Sequence, residues 1–251
     1  MAVSLLADNP AKRRVEILLL GYSPVWMAIL AGVIFTRAFS AWHDAGHLLL
    51  GVGLCLLPWL LPFLPLEPGR PLGARYATKV TVFIALLSAV QNYFGAHLFF
   101  RGLGMQYHFP VRLVLNGTPL FLYFVTVAYF STYFVLLQVA LRAVDRWFPT
   151  APRLLWWTVL GVLSCSLAFA ETYFMANDWL KDVFSYADKA RTLKVGSLCY
   201  GSLFVVSAPL FIRIDEDPAR PTPLAQVFWE VLGANMLILL LYELYLGTIL
   251  S

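Results

Sequence analysis

Charged residues are scarce in this sequence, making up 13% of its 251 residues, whereas a typical soluble domain carries about 25%. Hydrophobic residues make up 60%, which is more than a soluble fold of this length could keep out of water. The balance excludes an ordinary soluble domain and indicates that the lipid bilayer is the solvent. The net charge of +4 does not indicate nucleic-acid binding, because the basic residues are scattered through short loops.

Metal-binding and redox residues are also few. The three cysteines, Cys55, Cys165 and Cys199, lie in apolar stretches and form no CxxC pair, so we expect small buried hydrophobes. The four histidines include one HxxxH pair, His43 and His47, in a predicted loop. One such pair is a weak indication of a metal site. We therefore predict a solvated loop pair and no bound metal.

Seven apolar stretches are long enough to cross a bilayer, which needs about 20 mostly apolar residues. They cover residues 17–39, 46–66, 76–100, 115–141, 154–175, 193–213 and 226–250. The N-terminus lacks the pattern of a cleaved signal peptide, so we take the first span to be a retained anchor. We predict an all-α, polytopic transmembrane helix bundle of about seven spans, forming a single integral-membrane domain over residues 1–251.

The basic residues predict the orientation of the bundle. On the side of the N-terminus, called side A, lie eleven of the 18 lysines and arginines, and seven lie on the opposite side, side B. Because cytoplasmic loops carry the excess of positive charge, we predict a cytoplasmic N-terminus. The expected location is multi-pass, in a bacterial inner membrane or the endoplasmic reticulum.

A layer of polar side chains inside the spans, near side B, is the candidate site, because intramembrane polar groups are costly and mark function by default. Tyr93, His97 and Arg101 recur every four residues and should share one helix face. The structural alternative is that the carboxylates snorkel to water and the amides bond neighbouring helices. The layer consists of Asn92, Tyr93, His97, Asn116, Glu171, Tyr200 and Glu243.

A second polar group lies near side A, at the ends of the spans. Interfacial charges are usually solvated or paired across loops, and we therefore expect a structural role for this group. Its members are Lys12, Arg13, Glu16, Arg213, Asp215, Glu216 and Glu230.

Several long motifs resemble the cycloeucalenol cycloisomerase family, the cyclopropyl sterol isomerases, and they occur in the family's order nearly end to end. They are NPAKRRVE and YSPVW (9–26), RYATK (75–79), NYFGAHLFF and LGMQYHFP (92–110), ETYFMAN (171–177), KVGSLCYGSLFVVSAPLFIRIDE (194–216) and WEVLGANML (229–237). Several long motifs in order are far more specific than any short pattern.

The resemblance implies isomerisation of a 9β,19-cyclopropyl sterol to a Δ8 sterol, of the kind that converts cycloeucalenol to obtusifoliol, without a cofactor. Opening a cyclopropane requires a general acid, a pocket that tolerates a cation and a base. A carboxylic acid kept neutral by apolar surroundings could hold the proton. The implied partners are a sterol from the bilayer and membrane lipid, and not nucleic acid.

The role of each candidate follows from depth and chemistry. Glu171 is the leading general acid, and Tyr93 and Tyr200 would shield the cation. His97 or Glu243 would accept or relay the outgoing proton. Asn92 and Asn116 would orient these groups or the sterol hydroxyl. Glu230 is a further candidate for substrate binding, and the next candidate for the acid if Glu171 does not line a pocket.

Two other classes of function remain open. A sterol- or lipid-binding carrier without chemistry would have an equally apolar pocket. The second class is an ion-coupled transporter or a seven-helix receptor. Transporters commonly contain paired repeats with interrupted helices at the midplane. This sequence has no internal repeat, and its polar layer lies off-centre.

Overall fold

A computed structural model describes residues 4–250 of the chain; residues 1–3 and 251, at the ends of the predicted domain, lie outside it. Seven described helices are long and apolar enough to span a bilayer, which confirms the predicted all-α bundle of a multi-pass membrane protein. They are α1 (Pro10–Phe35), α2 (Asp44–Phe63), α3 (Tyr76–Gly102), α4 (Leu120–Trp147), α5 (Arg153–Met175), α6 (Lys189–Arg213) and α7 (Leu224–Thr248).

The first helix begins at Pro10, seven residues before the apolar stretch that starts at residue 17, as the pair Asn9-Pro10 predicts for a helix start. The Asn9 side chain accepts a hydrogen bond from the Ala11 amide at 3.0 Å, and Pro10 occupies the first helical position. The first turns of this helix carry charged side chains, and they can be buried as helix because these side chains have oppositely charged partners. Lys12 is fully buried, and its Nζ lies 2.8 Å from Glu216 Oε2.

The fourth helix begins later than predicted, at Leu120 instead of residue 115. The preceding residues form a tight hairpin in which β2 (Val114–Leu115) pairs with β3 (Thr118–Pro119). Pro119, which lies inside the predicted fourth span, therefore directly precedes the helix. A second short ribbon on side B joins β1 (Gln106–Tyr107) to β4 (Phe184–Ser185). These two ribbons lie over the side B ends of the helices.

Helix α4 forms the centre of the bundle and packs against α1, α2, α3, α5 and α6. Its buried face carries Phe130 and Phe134, whose rings contact Phe204 of α6 at centroid distances of 5.8 Å. Because five helices pack against α4, its buried side chains can contact several helices at once.

Most of the side A group forms a buried ionic network. Arg142 on α4 lies 2.8 Å from Glu16 and 2.7 Å from Glu216, and Lys79 lies 2.7 Å from Asp215, with both side chains at most 2% exposed. Burial alone would raise the pKa of Glu216. The hydrogen bonds and the positive charges of Arg142 and Lys12 outweigh this and lower the pKa to about 2. The network ties α1, α3 and α4 to the loop after α6.

Candidate active site

Glu171 lies one turn before the end of α5, at the side B end of the bundle, and is half-buried. The Tyr200 hydroxyl on α6 donates a hydrogen bond to Glu171 Oε2 at 3.0 Å. Tyr129 and Tyr133 of the central helix line the same cavity as this carboxyl group, close enough to interact with it. Three phenols from two helices therefore surround one carboxyl, where each can donate a hydrogen bond to the carboxylate form.

Two adjoining cavities meet at this carboxyl. The inner cavity lies among α3 to α7, and the outer cavity lies among α1, α3, α4 and α5 under the side B ribbons. Six residues line both spaces and belong to the wall between them. They are Asn92, Tyr107, Thr126, Tyr129, Glu171 and Met175.

The shared wall is held by a chain of hydrogen bonds. Asn92 Nδ2 donates to the Ser88 carbonyl and to Thr126 Oγ1, both at 2.8 Å, and Thr126 Oγ1 lies 3.0 Å from the Tyr129 hydroxyl. On β1, burial raises the pKa of Tyr107, so its phenol stays protonated. The wall thus contains one carboxyl and otherwise neutral polar groups, which suits proton transfer to an apolar substrate.

Helix α3 is not α-helical where it reaches the site. It forms π-helical turns over Gln91–Gly95 and Leu98–Gly102, and such turns occur often at functional sites. The face turned to the inner cavity carries Gln91, Asn92 and Phe99, with small residues between them. The sequence patterns used above do not identify these wide turns.

The predicted face of Tyr93, His97 and Arg101 points away from the cavities. Tyr93 and Arg101 are exposed, and neither Tyr93 nor His97 lines either cavity. Asn116 caps this outer face from the β2–β3 turn, where its Nδ2 contacts the Tyr93 carbonyl and lies 3.3 Å from His97 Nε2. Both faces of α3 carry polar groups. The packing of α4 and α5 places the cavities beside the face of Asn92, and not beside the face of Tyr93 and His97.

The other two carboxylates also lie apart from Glu171. Glu243 on α7 is exposed and lines neither cavity. Glu230 lies at the side A end of the same helix, where it pairs with Arg213 and accepts a hydrogen bond from Gln226 at 2.6 Å. Of the predicted layer, the structure therefore brings together Glu171, Tyr200 and Asn92.

The predicted solvated histidine pair is wrong for His47. This residue lies in α2, fully buried, with its ring 4.7 Å from Phe121 and its Nδ1 3.0 Å from the His43 carbonyl. Its helix begins at Asp44, so the loop is shorter than predicted. Within residues 4–250, no three His, Cys, Asp or Glu side chains are grouped as metal ligands.

The sequence interpretation missed several residues of the site. Tyr129 and Tyr133 lie four apart on the central helix, a spacing that puts them on one face, but tyrosines in an aromatic-rich span did not stand out. Gln91 and Tyr242 also line the inner cavity. Gln91 could have been found as one more polar residue inside a span.

Neither a family model nor a solved structure matches this chain. A curated protein does match it, namely cycloeucalenol cycloisomerase of Arabidopsis thaliana, at 31% identity over 255 residues. The match covers 97% of this chain and 90% of the relative. At that coverage the match extends over nearly the whole chain.

Proposed function

The chain belongs to the cycloeucalenol cycloisomerase family, and we propose that it is a membrane sterol isomerase that opens the 9β,19-cyclopropane ring of a cyclopropyl sterol. The observation that carries this proposal is the single carboxyl group of Glu171, lying where two largely apolar cavities meet. A rigid, apolar sterol would enter such a cavity from the bilayer.

The reaction needs only the movement of protons. The carboxylic acid of Glu171 gives its proton to C19, the bridging carbon, and the C9–C19 bond breaks and supplies the electron pair. C19 becomes a methyl group on C10, and C9 becomes a tertiary cation. Loss of the proton on C8 then gives the Δ8 double bond. One proton is gained and one is lost, so no oxidant or reductant is needed.

The tyrosines around Glu171 serve both steps. Once the acid has given up its proton, the hydroxyls of Tyr129, Tyr133 and Tyr200 stabilise the carboxylate as hydrogen-bond donors. The faces of these rings and of Phe99 and Phe130, which line the inner cavity, stabilise the cation at C9 electrostatically in a site without bulk water.

The base for the second step is the carboxylate that the first step leaves on Glu171. His97 and Glu243, the bases expected from the sequence, line neither cavity. The cyclopropane bridge and the C8 hydrogen lie on the same face of the sterol, so one carboxyl group can reach both. The hydroxyl of Tyr200, 3.0 Å from this carboxyl, links it to its neighbours for exchange between turnovers.

Solvent deuterium tests the direction of proton transfer. In a single turnover by protein equilibrated in D₂O, the product is expected to carry one deuterium, located in the new C19 methyl group, because the delivered proton comes from an exchangeable acid. Mass spectrometry and deuterium NMR of the isolated sterol would locate it. Product without deuterium, or with deuterium on a ring carbon, would contradict protonation of C19 by an exchangeable acid.

The orientation that we propose puts the N-terminus in the cytoplasm, because side A holds eleven of the 18 basic residues. Reporter fusions at the two termini should then report opposite sides of the membrane, the N-terminal one cytoplasmic. Two reporters on the same side would contradict the odd number of spans, and a reversed pair would contradict the charge rule for this chain.

A further inference from the structure

Two buried polar atoms in the inner cavity have no hydrogen-bond partner within residues 4–250. They are Oε1 of Gln91 on α3 and the hydroxyl of Tyr242 on α7. Both side chains line the inner cavity together with Glu171, and they are 7% and 3% exposed. Buried polar atoms are nearly always paired, so two unpaired atoms facing one cavity indicate a polar ligand.

The orientation of the Gln91 amide is fixed from behind by Asn235 on α7. Asn235 uses its Nδ2 to donate to the Val231 carbonyl at 2.9 Å, which leaves its Oδ1 to face α3. Gln91 must therefore turn its own NH₂ group toward Asn235, and this hydrogen bond is 2.8 Å long. The acceptor Oε1 remains on the side of the cavity.

Both side chains lie against Gly95, which lines the inner cavity with them. A Cβ atom on Gly95 would lie 2.3 Å from Gln91 Oε1 and 3.4 Å from Cε2 of the Tyr242 ring. Gly95 ends the first π-helical turn of α3, which brings the backbone close to both side chains. Any larger residue at this position would push Gln91 out of its place.

The chemistry of the pair suits a hydroxyl group on the ligand. Gln91 Oε1 can only accept a hydrogen bond, whereas the Tyr242 hydroxyl can also donate one. A ligand hydroxyl satisfies both, because it donates to Gln91 while it accepts from Tyr242. A ketone or an ether has no proton to donate and would leave Gln91 unpaired.

We propose that Gln91 and Tyr242 form the subsite that binds the 3-hydroxyl group of the sterol, with Asn235 as a positioning residue; this inference rests on the proposed function. The hydroxyl lies on ring A, and the cyclopropane lies at the adjoining ring junction. Ring A would therefore occupy the inner cavity with the reacting carbons beside Glu171. The side chain would extend into the outer cavity, whose far end is formed by Leu30, Phe39 and Leu180.

Binding measurements on matched sterols test the subsite. Purified protein in detergent is titrated with cycloeucalenol and with its 3-deoxy and 3-keto analogues, and we expect the 3-hydroxy sterol to bind at least tenfold more tightly than either. Gln91→Met should bring the preference over the 3-keto analogue close to one, because both sterols can still accept from Tyr242. Tyr242→Phe should lower the preference over the 3-deoxy analogue, because the sterol hydroxyl then keeps only its bond to Gln91. The matched control is Tyr186→Phe. It removes a buried hydroxyl that has no hydrogen-bond partner among the described residues and that belongs to a side chain lining neither cavity, so it should keep the full preference.

The outcomes separate this inference from the proposed function. If both variants weaken all three sterols equally, the residues have only a structural role and the subsite is wrong. Tyr242→Phe removes a single oxygen, so a folded protein is expected for at least this variant. A hydroxyl preference without any turnover of cycloeucalenol would leave the subsite standing and contradict the isomerase. Turnover of cycloeucalenol, with the hydroxyl preference unchanged in both variants, would support the isomerase and contradict the subsite.

Discussion

Glu171→Gln is expected to lower the rate of cyclopropane opening by about 10²–10⁴-fold, the usual contribution of a general acid, while sterol binding stays within a few fold of wild type. Glutamine keeps the size of the side chain and can still accept the hydrogen bond from Tyr200, so the wall between the cavities should hold its shape. It has no acidic proton to give to C19. Single-turnover assays with cycloeucalenol measure the rate, and titration of the same preparations measures binding.

The matched comparison for this variant is Glu243→Gln. This carboxylate lies on α7, is exposed and lines neither cavity, so the same chemical change there should leave the rate near that of wild type. A near wild-type rate in Glu171→Gln together with a large loss in Glu243→Gln would make Glu243 the acid. It would also move the site away from the two cavities.

Lys79→Met is expected to lower the free energy of unfolding by about 3–5 kcal/mol, which is the usual cost of removing one partner from a buried ion pair. Methionine fills much of the space of lysine but leaves the Asp215 carboxylate, 1% exposed, without its cation. The remaining hydrogen bond from the Thr222 amide, at 2.7 Å, cannot replace that charge. Thermal or denaturant unfolding of the purified protein in detergent measures the loss.

An exposed lysine provides the control for this prediction. Lys189 lies 3.9 Å from Asp178, and both side chains are more than half exposed. The pair is therefore worth about 0–1 kcal/mol, and Lys189→Met should change the stability little. Equal losses in the two variants would mean that the buried network contributes no more than a surface pair.

The seven helices were predictable because each is a long apolar run, but the run alone does not give every end; Asn9 and Pro10, and not the run, mark the start of the first helix. An apolar run stops at the first charge, whereas the helix continues if the charge finds a partner. Lys12 illustrates this, because its ammonium group binds the Ile212 and Ile214 carbonyls at 2.6 and 2.7 Å inside the protein. Those partners lie 200 residues away in the sequence, and no local pattern reveals them.

The candidate site was predictable only in part. Glu171 stands out because a carboxyl group inside a span is rare, and Asn92 is polar in the same way. The choice between the face of Asn92 and the face of Tyr93 and His97 depends on where α4 and α5 pack, which one helix does not encode. The π-helical turns of α3 shift its side chains further, and they are likewise a product of tertiary packing.

The most direct test of the proposed function is to incubate the purified protein with cycloeucalenol and to identify the sterols by mass spectrometry and NMR. We expect conversion to the Δ8 isomer, obtusifoliol, by the wild-type protein, and unchanged substrate with Glu171→Gln. A wild-type protein that binds cycloeucalenol and returns it unchanged would contradict the isomerase and would favour a sterol carrier without chemistry.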